Sequence, residues 1–296
     1  MGVIFQLELF EANLLDPQSL DQAVEGCDFV VHTASPLPAT PPKDENVLIK
    51  PAVEGTLSIL NSCVKHRIKR VVITSTSLTM CIQQRQNYKP VFNENDWSDP
   101  TICAPYDKSK TLAERAAWDF HSKLSEDEKF EMVVINPAFV LGPSLVQTDF
   151  SSGLIIRKIM TGQIPGAPKI LMPIVDVRDV ALAHLRAIQV KEAANQRFIV
   201  CDRSLWFKDI ILTLAAKYPE GFKINTSEIK YCTMKIASWF DASANKLIGY
   251  WGVDFQLDNS KSKSILGLEY KLATEAIIEM AESLISSGLL KSNKKN

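Results

Sequence analysis

The sequence is short of glycine, with 12 in 296 residues, which is about 4% against a usual level of about 7%. It also lacks any run near the roughly 18 uncharged apolar residues that a membrane span needs. The stretch 1–10 has no basic residue and carries Glu8, unlike a signal peptide. Gln6 occupies the position where a myristoylation signal needs Ser or Thr. These absences predict no membrane partner.

Neither sign of charge is in excess, since the formal net charge is −1. Without a basic field to steer the chain towards phosphates, we expect no nucleic-acid partner. The six cysteines are scattered and contain no C-x-x-C pair, which argues against a zinc site and a dense disulfide framework. We therefore expect reduced thiols, no metal and a cytoplasmic location. The 46% share of hydrophobic residues is enough for a substantial buried core.

Strand patterns alternate with helix patterns along the chain. The predicted strands are 5–10, 28–32, 70–74, 130–135 and 197–200, and the predicted helices are 16–24, 47–66, 106–123, 175–190 and 273–286. This alternation is typical of βαβ units and predicts an α/β fold with a doubly wound parallel sheet. Because such sheets bind ligands beyond the carboxyl ends of their strands, the residues after each strand are the first candidates for a site.

Two clusters of small and hydroxyl-bearing residues follow predicted strands. They are His32-Thr-Ala-Ser-Pro36 and Thr74-Ser-Thr-Ser77. Residues of this size let a flat or phosphorylated ligand approach the backbone. Ser, Thr and Pro are also common in ordinary turns, so each cluster taken alone favours a turn over a binding site.

The sequence Tyr106-Asp-Lys-Ser-Lys110 is a sharper signal. Residues four apart on a helix lie on one face, so the phenol and the ammonium group are expected to be neighbours. A free phenol titrates near pH 10. A nearby ammonium group and the positive end of the helix favour the phenolate, so we expect the pKa of Tyr106 to move towards neutrality. A hydroxyl group such as that of Thr76 could then bind a substrate oxygen beside the phenol.

The same spacing occurs a second time, at Tyr231 and Lys235. Two matches show that the spacing alone is a weak signal, and the surroundings separate them. Tyr106 opens a clear helix and lies 30 residues after Thr76 of the second hydroxyl cluster. Tyr231 has no such cluster before it, so we interpret it as structural.

Three motifs, in this order along the chain, resemble a known family. They are Thr74-Ser-Thr76, Tyr106-x-x-x-Lys110 and Asn136-Pro-Ala-Phe-Val-Leu-Gly-Pro143. Together they are similar to the extended short-chain dehydrogenases/reductases, and within these to dihydroflavonol reductases, cinnamoyl-CoA reductases and aldehyde reductases. Further matching stretches cover nearly all of the chain: 26–36, 51–56, 109–114, 175–184, 258–261 and 266–268. The resemblance implies a Rossmann-like domain at 1–142 and a mainly substrate-binding region at 143–296, from which segments around 175–200 return to the first domain.

The resemblance also implies three catalytic residues. Tyr106 is the expected proton donor in carbonyl reduction and the base in alcohol oxidation. Lys110 is expected to lower the pKa of that phenol and to hold the nicotinamide ribose. Thr76 stands at the position of the catalytic hydroxyl group, where the family often has Ser. The implied reaction is the NAD(P)H-dependent reduction of a small-molecule aldehyde or ketone to an alcohol.

For the cofactor, the resemblance favours NADP(H) over NAD(H). Asn13 and Leu14 are expected beside the adenine, the residues 33–35 beside the pyrophosphate and ribose, and Pro137 beside the nicotinamide. The implied cofactor-binding residues are Asn13, Leu14, Thr33, Ala34, Ser35, Thr74, Tyr106, Lys110 and Pro137.

The Gly-rich turn of the family, G-x-x-G-x-x-G, has no match, because the first glycines are Gly2, Gly26 and Gly55. That turn brings the pyrophosphate to a helix N-terminus, so we expect weakened dinucleotide binding. Compared with the family, a βαβ unit before Met1 is expected to be missing, through a real truncation or an incomplete gene sequence. The strand 28–32 would then expose an apolar edge, unless the strand 5–10 moves in beside it.

Three functions stay open at this point. The first is the reductase, as a monomer or homodimer. The second is a catalytically impaired, truncated relative or a binding protein, and the third is a sugar-nucleotide epimerase or dehydratase. Asp176 and Arg178 favour a helix cap and a surface ion pair over a charged site. Five aromatic residues in the variable segments favour core packing over a pocket lining for most of them: Phe150, Trp206, Trp239, Phe240 and Trp251.

Overall fold

The fold comes from a computed structural model that describes residues 7–36, 42, 44–146, 148, 151–239 and 247–292. Its helices are Pro17–Val24, Asn46–Lys65, Pro105–Ser122, Ser151–Met160, Val177–Gln189, Phe207–Lys217, Tyr231–Ala237, Ser260–Leu266 and Ala273–Ser286. Its strands are Phe29–His32, Arg70–Thr74, Val91–Phe92, Glu131–Pro137, Phe139–Leu141, Leu171–Asp176, Gln196–Val200, Arg203–Trp206 and Gln256–Leu257.

Four parallel strands form the central sheet, in the order Phe29–His32, Arg70–Thr74, Glu131–Pro137 and Gln196–Val200. The two middle strands are almost fully buried and read as continuous apolar runs, as expected when helices cover both faces of a parallel sheet. The prediction of an α/β fold with a parallel sheet is confirmed. All four strands run in the same direction. The two inner strands therefore end, at Thr74 and Pro137, on the same edge of the sheet.

Helices cover the two faces of this sheet with separate apolar clusters. On one face Leu60 and Ala117, from the helices Asn46–Lys65 and Pro105–Ser122, pack with Val71 and Val134. On the other face the helix Val177–Gln189 packs against the intervening residues of the same strands. The alternation of partners along each strand follows from the alternation of side chains across a sheet.

One of the described helices, Asn46–Lys65, is long and apolar enough to cross a membrane by length and composition. It also carries Lys50 and Glu54, whose exposed side chains lie 4.0 Å apart, while Leu48 and Leu60 are buried in the protein. A buried core helix passes the same test, so this helix is weak evidence for a membrane span.

A second, smaller sheet begins directly after the strand Glu131–Pro137 of the central sheet. Phe139–Leu141 pairs in parallel with Leu171–Asp176, which pairs antiparallel with Arg203–Trp206. The surrounding helices build a second core, in which Ile156, Leu214 and Ile277 are fully buried. The chain therefore passes from one sheet to the other at Ala138, whose N–H donates to the carbonyl oxygen of Val200 at 2.9 Å.

Most predicted elements agree with the structure to within two residues, and the strand 70–74 and the helix 273–286 agree residue for residue. The helix predicted over 175–190 begins two residues later, because Val175 and Asp176 complete a strand. The strand predicted over 5–10 is wrong for residues 7–10, which lie in no strand, with Leu7 and Leu9 exposed. Residues 5 and 6 lie outside the described part of the chain. An alternating pattern without a neighbouring strand has no partner for its backbone hydrogen bonds.

The strand Phe29–His32 therefore forms an edge of the described sheet, since its recorded pairing is with Arg70–Thr74. Phe29 and Val31 are 44% and 41% exposed. The prediction of an exposed apolar edge is confirmed for these described residues.

A matched pair of valines tests this difference between edge and centre. Val133 is 0% exposed on an inner strand, whereas Val31 is 41% exposed on the edge. We expect Val133→Ala to lower the free energy of unfolding by about 2 kcal/mol, because two methyl groups leave the core, and Val31→Ala by under about 1 kcal/mol. Urea unfolding followed by circular dichroism measures both values. Equal losses would contradict the sheet order.

Candidate active site

A cavity of about 520 Å³ opens at the carboxyl ends of the central strands. We call it the main cavity, and its residues include Thr74, Thr76, Tyr106, Pro137 and Tyr250. The loops that follow the two inner strands supply one part of the cavity lining, residues 74–78 and 137–140. Leu171, Met172 and Phe255 supply apolar wall from the second half of the chain. The structure thus brings together Thr76, Tyr106 and Pro137, as their positions after strands and at a helix start predicted.

Thr76 is held by backbone geometry and by its neighbours. It caps the short 3₁₀ helix Ser77–Thr79, and its hydroxyl oxygen accepts from the N–H of Leu78 at 3.3 Å. Its carbonyl oxygen accepts from the side chain of Asn136 at 3.3 Å. Thr76 is 8% exposed. Among the described contacts, the hydroxyl hydrogen has no acceptor, so it is available to a ligand in the main cavity.

Lys110 lies one helical turn after Tyr106 on the helix Pro105–Ser122, with its ammonium group directed at the sheet. The Nζ atom donates to the carbonyl oxygen of Thr74 at 2.7 Å. Burial of the side chain lowers the pKa of Lys110 to about 8, and the carboxylate of Glu114 opposes that fall. At neutral pH the ammonium form therefore persists in a largely buried place.

The pKa of Tyr106 moves opposite to the sequence expectation. Burial raises it to about 12, and the adjacent carboxylate of Asp107 raises it further. The prediction of a phenol with a pKa near neutrality is wrong for the protein without a bound cofactor, because desolvation penalises the phenolate. At neutral pH Tyr106 is therefore protonated and can act as a proton donor.

A narrow cleft adjoins the main cavity and shares Thr74 and Ser75 with it. We call it the lysine cleft, and its other residues include His32, Ser35, Thr56 and Lys110. Burial lowers the pKa of His32 to about 4, with a smaller effect from Lys110, so the imidazole is neutral at pH 7. The lysine cleft joins the edge strand to the helix that carries the catalytic candidates.

The structure does not bring the other four cofactor candidates, residues 13, 14, 33 and 34, into the lining of the lysine cleft. Thr33 and Ala34 are exposed immediately after the edge strand. Leu14 packs on Gly55, where a Cβ atom would lie 2.9 Å from the Cβ of Leu14. Gly55 precedes Thr56, which lines the lysine cleft, but neither Leu14 nor the neighbouring exposed Asn13 lines that cleft or the main cavity.

Thr74 has both of its polar groups engaged within the protein. The half-buried His184 ring donates from Nδ1 to the carbonyl oxygen of Val180 at 2.8 Å, so its Nε2 accepts from the Thr74 hydroxyl at 2.7 Å. Burial lowers the pKa of His184, which keeps the ring neutral. The carbonyl oxygen of Thr74 accepts a hydrogen bond from Lys110 Nζ. Thr74 therefore shapes the site and positions the lysine.

Sequence reasoning missed the buried network centred on Glu114, which is 2% exposed. Its carboxylate accepts from Ser75 Oγ at 2.5 Å, from Thr79 Oγ1 at 2.9 Å and from Asn136 Nδ2 at 2.8 Å. Arg197 Nε donates to the other oxygen at 2.5 Å. The only sequence signal was that the matching stretch 109–114 ends at Glu114.

Arg197 makes further contacts besides its ion pair with Glu114. Its guanidinium carbon lies 3.8 Å from the centroid of the Trp97 ring, which is the geometry of a cation–π contact. Its Nη1 atom donates to the carbonyl oxygens of Glu94 and Asp96 at 2.8 and 2.9 Å. The ion pair with Glu114 is therefore buried and fully embedded in hydrogen bonds.

The three residues interpreted as structural, Asp176, Arg178 and Tyr231, line neither the main cavity nor the lysine cleft. Asp176 caps the helix Val177–Gln189, accepting from the N–H of Arg178 at 2.8 Å, and the Arg178 side chain pairs with it and with Glu279. Tyr231 is 47% exposed on a short helix and contacts the Trp251 ring edge-on at 5.7 Å.

Of the five aromatic residues of the variable segments, the three that the structure describes, Trp206, Trp239 and Trp251, do not line the main cavity. Trp206 packs against the first core, as the core interpretation predicted. Trp239 is 72% exposed, so it fills neither a core nor a pocket. Phe150 and Phe240 lie outside the described residues. The aromatic lining comes instead from Phe139, Tyr250 and Phe255.

The hydrogen-bond donors of the main cavity and the lysine cleft match part of what a dinucleotide needs. Hydroxyl groups and one buried ammonium group at the carboxyl edge of a parallel sheet fit the nicotinamide and its ribose. A Gly-rich turn for the pyrophosphate does not occur in the 296-residue sequence. Among the described residues, no group of three or more His, Cys, Asp and Glu side chains could hold a metal ion.

Residues 2–201 match the profile of the NAD dependent epimerase/dehydratase family. The chain is 33% identical over 293 residues to cinnamoyl-CoA reductase 1 of Petunia hybrida, covering 98% of this chain and 80% of that protein. It is 32% identical over 300 residues to tetraketide alpha-pyrone reductase 1 of Arabidopsis thaliana, covering 98% and 82%.

A solved structure with a similar fold is the yeast methylglyoxal/isovaleraldehyde reductase complexed with NADPH. It superimposes with a TM-score of 0.74 at 28% identity, over 93% of this chain and 83% of that one. The predicted resemblance to extended short-chain dehydrogenases/reductases is confirmed. The chain belongs to the NAD dependent epimerase/dehydratase family.

Proposed function

We propose that this chain is an NADPH-dependent oxidoreductase of the cytosol that reduces the carbonyl group of an aldehyde or ketone to an alcohol. The observation that carries the proposal is that Thr76 and Tyr106 line one mainly apolar cavity, with Lys110 in the cleft behind it. The names of the similar proteins, which are reductases, support the same reaction class. All six cysteines lie in the described residues and no disulfide joins them, in agreement with a reducing compartment.

The cofactor and three residues of the chain would each have a separate role in this reduction. Bound NADPH supplies a hydride for the carbonyl carbon. The Thr76 hydroxyl donates a hydrogen bond to the carbonyl oxygen, and Tyr106 gives its proton to that oxygen. The raised pKa of Tyr106 keeps the phenol protonated until that moment. Lys110, charged below pH about 8, stabilises the phenolate that remains.

NADPH is proposed over NADH because the yeast reductase of similar fold is complexed with NADPH. Lys110 and Ser35 in the lysine cleft are the proposed contacts for the nicotinamide ribose, and Pro137 borders the nicotinamide. The exposed residues 33 and 34, with Asn13 and Leu14, remain proposed contacts for the rest of the dinucleotide. Without a Gly-rich turn, pyrophosphate binding is proposed to be weak.

The lining of the main cavity favours a carbonyl compound with an apolar body. Leu78, Phe139, Ile170, Met172 and Phe255 supply apolar wall, and burying apolar surface of a ligand is favourable. A nucleotide sugar would need many polar partners for its hydroxyl and phosphate groups. The lining therefore argues against the sugar-nucleotide epimerase or dehydratase alternative.

A second candidate function is binding without catalysis. The observation in its favour is the absence of a G-x-x-G-x-x-G turn from the sequence. A chain of this kind would keep the apolar cavity and lose affinity for the dinucleotide. NADPH binding separates the two candidates.

Replacing the proposed proton donor tests the assignment of Tyr106. We expect Tyr106→Phe to lower kcat for NADPH-dependent aldehyde reduction by about 10²-fold or more, since it removes the donated proton and leaves the ring. NADPH consumption followed by absorbance measures the rate. The matched control is Tyr231→Phe in the second Tyr-x-x-x-Lys sequence, which should keep wild-type activity. An active Tyr106→Phe variant would sink the assignment.

The buried lysine predicts a pH dependence. Because burial lowers the pKa of Lys110 to about 8, the ammonium form is complete below that pH and lost above it. We expect kcat/KM to be constant on the acidic side and to fall about tenfold per pH unit on the basic side. Lys110→Met should abolish this fall of kcat/KM, the basic limb of the pH profile, while Lys235→Met should preserve it. A limb retained in Lys110→Met would contradict the prediction.

Calorimetry with NADPH distinguishes the two candidate functions. We expect saturable binding by the 296-residue chain, weakened about tenfold or more in Lys110→Met through loss of a charge-assisted hydrogen bond. Lys235→Met serves as the control and should bind like the wild type. Micromolar binding would exclude the non-catalytic candidate, and no saturable binding to the wild type would exclude the reductase.

A further inference from the structure

We propose that Glu114 is a positioning residue of the site, which holds the Thr76 loop against the helix of Tyr106 and places its carboxylate one helical turn from Lys110. The inference rests on the proposed reductase function for its catalytic meaning. Glu114 does not line the main cavity, where the substrate and the reacting atoms are proposed to lie. It lines the lysine cleft beside Lys110. Its effect would pass through Thr76 and Lys110.

The first line of support is the set of donors that converge on one carboxylate. Ser75 and Thr79 flank Thr76 on both sides, and both hydroxyl groups donate to Glu114 Oε2. Asn136 donates to the same oxygen at 2.8 Å and to the carbonyl oxygen of Thr76 at 3.3 Å. The Thr76 loop, residues 75–79, is thus tied to Glu114 by two hydrogen bonds and through the bridging amide of Asn136.

The second line of support is position on the helix. Glu114 follows Lys110 by four residues and Tyr106 by eight, so all three lie on the same face. The loop that carries the hydroxyl group is therefore fastened to the same rigid element that carries the phenol. A reacting geometry of two groups needs this kind of common support, because a misplacement of about 1 Å can cost about 10²-fold in rate.

The third line of support is charge. The groups that surround Lys110 are His32 from the edge strand, Tyr106 and Glu114 from its own helix, and Arg197 behind Glu114. His32 is neutral at pH 7, because burial lowers its pKa to about 4. Glu114 is the group that raises the pKa of Lys110 against desolvation. Removing its charge should release the lysine proton at lower pH.

Two variants separate the contacts from the charge. Glu114→Gln keeps the length of the side chain and removes the charge. We expect the midpoint of Lys110 titration to fall by about half a pH unit or more, with the basic limb of kcat/KM moving by the same amount. Glu114→Asp keeps the charge and withdraws the carboxylate by one methylene group. We expect that variant to keep the wild-type midpoint and to lose about tenfold or more in kcat with little change in KM.

The matched control is Glu131→Gln. Glu131 pairs with the buried Arg70 at 2.6 Å, but at the amino ends of the same strands. This control removes the charge from an ion pair on the same sheet and should leave the Lys110 midpoint and the kinetic limb in place. If Glu114 had a merely structural role, Glu114→Gln would lower activity without moving the Lys110 midpoint or the basic limb of kcat/KM.

The midpoint is read by NMR of lysine labelled with ¹³C at Cε, with Lys110→Met to assign the signal. This readout needs no substrate, so a wild type without reductase activity would defeat the proposed function and still decide the role of Glu114. A folded Glu114→Gln variant with an unmoved midpoint overturns the inference, as does an equal shift in Glu131→Gln. If Glu114→Gln does not fold, Glu114→Asp decides, and wild-type kcat in that variant overturns the inference.

Discussion

The buried ion pair between Glu114 and Arg197 is the interaction on which the site depends. Its side chains are 1% and 8% exposed, and the N–O distance is 2.5 Å. Buried charges cost several kcal/mol each unless they are paired and hydrogen-bonded. The remaining partners of the pair come from the Thr76 loop, from Asn136 and from residues 94–97. The helix, the Thr76 loop, that segment and the two strands must therefore be in place together. The relative positions of Thr76 and Lys110 follow from that requirement.

The main cavity exists because the chain changes sheets next to the end of a strand. Pro137 ends an inner strand of the central sheet, and Phe139 already belongs to the second sheet. Ala138 joins them and donates to Val200. The polar groups at the carboxyl edge of the first sheet are therefore faced by apolar side chains from the second half of the chain. A carbonyl group could meet its donors there while its apolar body stays out of water.

The positions of Thr76, Tyr106 and Pro137 could be predicted from the sequence, because the carboxyl ends of parallel strands meet at one edge of the sheet. The role of Thr74 could not, since its hydroxyl donates to His184, which lies 110 residues later. The direction of the Tyr106 pKa was predicted wrongly. Charge neighbours four residues away are visible in a sequence, whereas the burial that raises this pKa depends on the packing of the loops around the cavity.

The sequence by itself determined the alternation of strands and helices, the family, and the residue types available for chemistry. These are properties of local periodicity and of motif order, which survive without any knowledge of packing. The tertiary structure alone decided which groups share a cavity, which titratable groups are desolvated, and that Glu114 meets Arg197 across 83 residues. The reason is physical: burial and long-range hydrogen bonds are set by how elements pack, and the energies of buried charges depend on those partners.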